Sequence, residues 1–387
     1  MTPTHYELLH WEMALRGAVA GLLLFHTLNL LLHRGRGAPR LALGGFTLGV
    51  FGYVFCQQPE MLLAMPRPLA LGLLALAVSA PAWMWLAARA LFDDGFRFRA
   101  LAWGVAAAAM VLGLSANLPF FPPVDAPGSF VPPPPGSWVW VLALGAGQMT
   151  AMLLFTALAL WEVTRGWRDD LVEPRRAARR WVALGIGVYA AVAVVVEIAV
   201  RGQQVGRLLP ALHIAGIGLL ALGLALLVAL RSLDDVLGVP AVSAPGPDEA
   251  PALPASPPPA DRAVPTSPRV AEAQARLQRA MSDERLYRRE GLTLAALAQQ
   301  LGQGEAALRA LINQQLGFRN FNDFLHSYRL QEAAERLAAD DRPVLTIALE
   351  CGYGSIGPFN RAFKQRFGIT PSEFRGAKRL VPGAAPS

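Results

Sequence analysis

Charge is scarce in this chain: only 16% of its 387 residues are Asp, Glu, Lys or Arg, where ordinary soluble domains carry roughly 25%. With 53% hydrophobic residues and a mean hydropathy of +0.35, a single soluble globular domain does not fit. Cysteine is nearly absent. Cys56 and Cys351 stand far apart in stretches of opposite character, so neither a disulfide framework nor a Cys-based zinc site can form within the chain. Catalytic motifs are missing as well. No HExxH, CxxC pair, GxSxG or phosphate-binding GxxxxGKS/T occurs, and the GxG pairs Gly185/Gly187 and Gly216/Gly218 lie inside apolar runs, where they read as packing residues. Neither an enzyme nor a cofactor or metal is expected. The charge that exists is uneven: residues 1–230 hold 16 Arg and 11 acidic side chains, and residues 269–387 hold 17 basic and 12 acidic ones. A net charge of +7 admits an anionic partner, DNA or acidic lipid, without choosing between them.

Long apolar runs are what the chain has instead. A bilayer core about 30 Å thick takes about 20 apolar residues per helical crossing. Seven stretches qualify, approximately 9–32, 41–57, 68–92, 100–118, 138–161, 181–200 and 208–230. Buried helices of a soluble core would show an amphipathic stripe, yet "LLALAVSAPAWMWLAARALF" is apolar on all sides. The first run is preceded by Glu7 and no Lys or Arg, so the basic start of a signal peptide is missing. Alternate loops carry twelve Arg (34, 36, 40, 89, 97, 99, 165, 168, 175, 176, 179 and 180) against three (67, 201 and 207). The positive-inside rule then puts the N-terminus outside and the C-terminus in the cytoplasm.

Polar residues inside spans are costly and mark functional sites by default. With this orientation Glu12, Arg16, Gln57, Asn117, Glu197 and His213 all fall in the outer part of the membrane. Two readings stay open. Arg16, Glu197 and His213 facing one another would form an outward pocket for a small ligand or a proton. Alternatively Glu12/Arg16 and Glu197/Arg201, both at i,i+4 spacing, are local pairs that snorkel to the headgroups. His26, Asn29 and Gln148 read as interhelical hydrogen-bonding residues, and Gly45/Gly49 as a close helix contact. Glu162, Glu173, Asp169 and Asp170, at or near the basic loop between the fifth and sixth runs, read as a solvated charged loop.

Residues 233–268 form a Pro-rich linker. Between residues 238 and 268 there are ten prolines and no aromatic residue, a composition that supplies neither helix hydrogen bonds nor a core and reads as a semi-extended tether. From 269 the pattern turns amphipathic. "GLTLAALAQQLGQGEAALRALINQQLG" reads as a helix started by Thr293, a turn at Gly302 and Gly304, and a second helix that buries Leu308, Leu311 and Ile312 and leaves Arg309, Ala310 and Asn313 on the opposite face. "VLTIALECGYGSIGPFNRAFKQRFG" repeats the plan: Ile347, Ala348 and Cys351 face inward, Gly352 and Gly354 shape the turn, Ser355 caps a helix with Pro358 in its first turn, Phe359, Ala362 and Phe363 pack inward, and Asn360, Arg361 and Lys364 point out. An Asn and an Arg side by side suit base edges, and the nearby Lys suits phosphate.

Pattern alone leaves an ordinary helical bundle open. The segments "LTLAALAQQLG", "FNDFLHSYRLQEAAERL" and "IALECGYGSIGPFNRAFKQRFGITPSEFR" resemble the DNA-binding domain of the AraC/XylS family of transcription regulators over about a quarter of the chain. The resemblance implies two helix-turn-helix units joined by a long helix, with two recognition helices in successive major-groove segments about 34 Å apart. Carried over by position, it implies base contacts from Ala306, Arg309, Ala310 and Asn313 in the first unit and from Ile356, Gly357, Asn360 and Arg361 in the second, with Lys364 and Arg329 as phosphate or framework residues. Small Ala306, Ala310 and Gly357 and apolar Ile356 depart from the family's usual larger or polar residues, so first-unit contacts should lean on Arg309, and specificity on partner copies or DNA shape. Cys351 stands where a small apolar residue is usual and reads as core.

The expected protein is all-α: an N-terminal seven-transmembrane helix bundle (1–232) acting as sensor, the linker (233–268), and a C-terminal helical domain with two helix-turn-helix units (269–387). It would be a one-component regulator of the bacterial inner membrane. Its expected partners are double-stranded DNA, membrane lipid, an unknown small-molecule or membrane signal, a second copy in a homodimer and, if it activates, RNA polymerase. The alternative is a receptor or transporter-like protein whose C-terminal domain docks a cytosolic protein.

Overall fold

A computed structural model of the chain describes residues 3–32, 37–93, 96–120, 136–201, 208–230 and 268–380. Every regular element among them is helical, apart from an isolated antiparallel bridge between Asp170 and Asn320. The linker up to residue 267, most of the loop after residue 119, and Arg207 lie outside the described residues. Two compact units result, one of Met1–Gly166 with Ala177–Val239, the other of Trp167–Arg176 with Pro240–Ser387.

The first unit is built from α1 (Pro3–Leu32), α2 (Ala38–Cys56), a short α3 (Pro59–Ala64), α4 (Arg67–Phe92), α5 (Ala100–Asn117), α6 (Trp138–Thr164), α7 (Glu173–Arg201, from Ala177 on) and α8 (Leu208–Leu230). Each of the seven apolar stretches coincides with one long helix. Among the described residues five segments, His10–Leu32, Ala38–Cys56, Arg67–Phe92, Ala100–Phe120 and Trp138–Thr164, are long and apolar enough to cross a membrane. The apolar Ala211–Gly223 of α8 is shorter. This unit is inside-out by the standards of a soluble protein: Trp11, Leu101 and Trp140 are 75%, 79% and 72% exposed, whereas Glu12 and Arg16 are buried. Close packing rests on glycine. A Cβ on Gly49 would stand 2.8 Å from the Cβ of Ala80, and one on Gly52 would stand 2.4 Å from the Leu73 carbonyl oxygen, so α2 and α4 approach at a distance that only small residues allow. The Gly45/Gly49 reading holds.

In the second unit α9 (Pro268–Ser282) and a 3₁₀ turn at Leu286–Arg288 precede α10 (Leu294–Gln300) and α11 (Glu305–Ala310), which continues as one π-type turn over Leu311–Gln315. Then come α12 (Phe321–Ala339), α13 (Val344–Glu350), α14 (Ile356–Phe367) and α15 (Pro371–Leu380). Two apolar cores share α12. Its Phe321, Phe324 and Leu325 pack with Leu277, Met281, Leu297, Leu308 and Ile312, and its Leu330, Ala333 and Leu337 pack with Ile347, Cys351, Phe359 and Phe363. Full burial of such side chains stabilises by about 1.5–3 kcal/mol each, so α12 is the beam on which both halves are built.

Candidate nucleic-acid interface

The two halves use the same local device to turn the chain. In α10 the Thr293 hydroxyl accepts from the Ala296 amide at 3.2 Å, as a helix start requires. The helix ends with Gly302 at φ +63°, the Gln303 amide on the Ala298 carbonyl and the Gly302 amide on the Gln299 carbonyl. In α13 the arrangement recurs: Gly352 has φ +91°, the Tyr353 amide meets the Ala348 carbonyl and the Gly352 amide meets the Leu349 carbonyl. This paired closure is the Schellman motif, which needs a left-handed residue and therefore favours glycine. Each turn delivers a second helix, α11 or α14. Ser355 stands at the start of α14, but its side chain makes no capping hydrogen bond.

On α14 the expected outward face is present. Phe359 and Phe363 are fully buried, while Asn360, Arg361 and Lys364 are exposed. Arg361 pairs with no carboxylate among the described residues, and its Nη1 lies 3.7 Å from where a Cβ of Gly357 would sit. Ile356 and Gly357 are half-buried at the helix start. Cys351 is buried at the base of the turn, and burial pushes its thiol up to about 12, so it stays protonated and acts as core.

On α11 the expectation needs correcting. Ala306 is exposed and Ala310 half-buried, but Arg309 is buried rather than outward-facing. Its guanidinium pairs with Glu305 one turn back and lies 3.9 Å from Glu173. Asn313 is also occupied, donating from Nδ2 to the Phe318 carbonyl at 2.9 Å. The π-type turn and left-handed Gly317 bring that carbonyl back over the helix end. Periodicity alone places both side chains outside; it contains no term for the Phe318 carbonyl that returns to Asn313, nor for Glu173, which joins Glu305 beside Arg309. Arg329 resolves as framework: it is buried and donates to the carbonyls of Tyr287 and Arg289.

The sequence of this part of the chain is matched by relatives. Residues 297–377 match the family described as "Helix-turn-helix domain". "Probable transcription factor PqrA" of Proteus vulgaris is 32% identical over 93 residues, covering 24% of this chain and 75% of that protein. The chain belongs to the AraC-type helix-turn-helix transcription regulators. A second relative, an uncharacterized HTH-type transcriptional regulator of Staphylococcus aureus (strain COL), is 33% identical over 96 residues, 25% of this chain and 13% of that protein. Among solved structures, the C-terminal domain of AraT, a response regulator from Geobacillus stearothermophilus, is 28% identical, covers 31% of this chain and 93% of that one, and superposes with a TM-score of 0.26.

Much of the basic charge of the AraC-type domain is spent internally. Glu332 accepts from Arg288 Nε at 2.9 Å and from Arg336 Nε at 2.9 Å, and Glu350 pairs with Arg336 and Arg342. Burial works against ionisation of Glu332, but the Arg288 and Arg336 hydrogen bonds outweigh it and hold the carboxyl below its ordinary range. Arg361 and Lys364 therefore stand out as exposed cations on α14. Signals for the internal network were present in the sequence only as i,i+4 spacing of Glu332 and Arg336; the partners from Arg288 and Glu350 required the fold.

In the first unit the expected polar cluster is partly assembled. Arg16 donates to Glu12 Oε1 at 2.7 Å and to the Val54 carbonyl at 2.5 Å, and Gln58 Nε2 donates to Glu12 Oε1 at 2.6 Å. The pair is local to α1, at i,i+4 spacing, but both partners are buried, and it is tied to a neighbouring segment through the Val54 carbonyl and Gln58. Just past the end of α2, Gln57 Nε2 donates to the Tyr53 hydroxyl at 2.7 Å, which lies 3.4 Å from His213 Nε2 of α8. Asn117 is engaged elsewhere, donating to Gln148 Oε1 of α6 at 2.9 Å, which fits the interhelical reading of Gln148. The Glu197 side chain lies outside the described residues. Tyr53 and Gln58 were missed because a Tyr inside an apolar run, and a Gln just past one, carry no distinctive spacing. Among the described residues, no group of three or more His, Cys, Asp and Glu gathers as a metal site would need.

Proposed function

We propose that the chain is a membrane-anchored, one-component transcription regulator: the helical unit lies in a bacterial inner membrane, N-terminus outside, and controls a cytoplasmic AraC-type domain that reads DNA in sequence. The carrying observation for the DNA side is the exposed Asn360, Arg361 and Lys364 face of α14 over a fully buried Phe359/Phe363 face. Asn and Arg offer bidentate donors and acceptors to base edges, and Lys offers a phosphate contact. The membrane side is supported by the five long apolar helices, their exposed Trp and Leu side chains and the twelve-to-three Arg asymmetry of the loops. Ile356, Gly357, Ala306 and Ala310 would contribute apolar or shape contacts, and two copies on paired half-sites would supply the rest of the affinity. The Glu12, Arg16, Gln57 and His213 cluster is the proposed sensing region for a small molecule or a membrane state. Such a signal acts only by binding two states with different affinity. Contact with RNA polymerase belongs to the case of an activator.

Genome-wide mapping of DNA cross-linked to the full-length protein, beside an Asn360→Ala/Arg361→Ala variant, tests the reading. Sharp peaks that the variant loses are the expected result. A protein without peaks under several growth conditions, or with peaks unchanged in the variant, overturns DNA reading by α14; the former would turn attention to a receptor whose C-terminal domain docks a cytosolic protein.

A further inference from the structure

The segment 167–176 covers the loop after α6 and the first turn of α7, about ninety residues before the AraC-type domain, yet it packs within that domain's unit. It is not the solvated charged loop its composition suggested. Leu171 is 2% exposed and joins the core of the first helix-turn-helix half with Leu277, Met281, Leu308, Ile312 and Phe321. Its amide donates to the Arg319 carbonyl at 3.0 Å, and the Phe321 amide donates to the Asp169 carbonyl at 2.8 Å, so Asp170 and Asn320 face each other across an antiparallel bridge. Asp169 Oδ2 accepts from Asn322 Nδ2 at 3.0 Å. Asp170 is buried, accepts from the Val172 amide at 3.1 Å and stands 3.5 Å from Arg175 Nε. Glu173 reaches Arg309.

The contacts of Asp169 and Glu173 have the chemistry of a bound anion. A carbonyl and a carboxylate sit at the first turn of α12, where free amides and the helix dipole favour negative charge. A second carboxylate sits beside Arg309, the residue assigned to base reading in α11. Leu171 anchors the segment through apolar burial, which salt does not screen.

We propose that residues 167–176, whose three acidic side chains are balanced by three Arg, are a built-in ligand of the AraC-type domain that presents Asp169 and Glu173 to it, seated on its first helix-turn-helix so that Arg309 and the start of α12 are withheld from DNA. This rests on the reading of that domain as a DNA binder. In sequence the segment follows α6, which ends at Thr164, and includes the first turn of α7, which starts at Glu173 and turns apolar from Trp181. A rearrangement of α6 against α7 therefore withdraws the ligand without any push through the Pro-rich linker, whose role reduces to holding the domain close. Apparent DNA affinity then scales with the undocked fraction.

The test uses the full chain in lipid nanodiscs, with Cys56→Ala and Cys351→Ala as background and Asp170→Cys/Asn320→Cys added. The pair flanked by the two bridge hydrogen bonds is the non-hydrogen-bonded kind, in which Cα atoms stand about 4.5 Å apart, within disulfide reach. The probe is a short random-sequence DNA duplex at low salt, read by fluorescence anisotropy in the oxidised and then the reduced state of one sample. A disulfide that closes readily and weakens duplex binding about tenfold or more, reversibly on reduction, is expected. Leu171→Asp, with its fold checked by circular dichroism, should bind more tightly than wild type by a similar factor. Failure of the disulfide to form, or equal affinity in both redox states with Leu171→Asp unchanged, overturns the masking and leaves DNA binding intact. If no form binds duplex although the disulfide closes, the DNA-binding reading has failed and the masking falls with it.

Discussion

Arg329, midway along α12, donates from Nε to the Tyr287 carbonyl at 2.6 Å and from Nη2 to the Arg289 carbonyl at 2.9 Å. One guanidinium thus ties the turn before the first helix-turn-helix to the helix that joins both halves. Its planar fork fits two carbonyls at once, which an ammonium cannot do. Arg329→Met is expected to leave two carbonyls unpaired, at roughly 1–3 kcal/mol each, and Arg329→Lys to recover little. Hydrogen exchange of α12 amides in the full chain should accelerate in both variants. If instead the variants keep wild-type protection and lose only DNA affinity, the residue is a phosphate contact after all.

Gly302 and Gly352 occupy the same place in the two halves, but their surroundings differ. A Cβ at Gly352 would stand 2.7 Å from the Tyr287 and Arg288 carbonyl oxygens, whereas Gly302 meets nothing within 4 Å. Both substitutions to Ala carry left-handed strain of about 1–2 kcal/mol. Only Gly352→Ala adds a clash with fixed backbone, so its melting temperature should fall clearly further than that of Gly302→Ala. Equal shifts would contradict the packing described here.

Acid should loosen the AraC-type domain through Glu332. Its folded carboxyl is held below the ordinary 4.5, so its stabilising contribution is complete above that value and is lost as pH falls through the lowered one. Glu332→Gln is expected to be less stable at neutral pH and to show a flatter decline in acid. Asp340 and Glu373, also held low by hydrogen bonds to Arg342 and Thr370 respectively, leave a residual slope. Thermal melts of the C-terminal domain across this range, followed in the full chain, provide the check.

Arg361 and Lys364 should separate in their effects on DNA. Arg361→Ala is expected to cost roughly 1–3 kcal/mol of discrimination and relax preference at one base position. Lys364→Ala should weaken all sequences alike and lower the salt slope by about one. Binding isotherms of the full chain against a randomised duplex library at several salt concentrations distinguish the two patterns.

The Glu12 and Arg16 pair is buried between α1 and the end of α2, where removing one partner strands the other charge at a cost of about 3–5 kcal/mol. Glu12→Gln should therefore melt far below wild type in detergent, and Glu12→Gln/Arg16→Met should recover much of the loss. A wild-type melt for Glu12→Gln would mean the pair reaches water.

The seven long helices were legible in the sequence because apolarity on every face needs no knowledge of neighbours, and so were the helix-turn-helix units, because Thr293, Gly302 and Gly352 encode local turns by their own stereochemistry. The outward face of α14 followed from the buried spacing of Phe359 and Phe363. Sequence could not decide where a long polar side chain finds its partner. Helical spacing puts Arg309 outside, yet it is buried beside the distant Glu173; depth along the helices groups Asn117 with Arg16, yet it bonds to Gln148. Hydrophobic pattern fixes which face turns inward, since burial depends only on position along a periodic element. Hydrogen bonds and ion pairs are directional and short-ranged, so only the tertiary approach of segments far apart in sequence, Asp170 to Asn320 above all, decides which of them form.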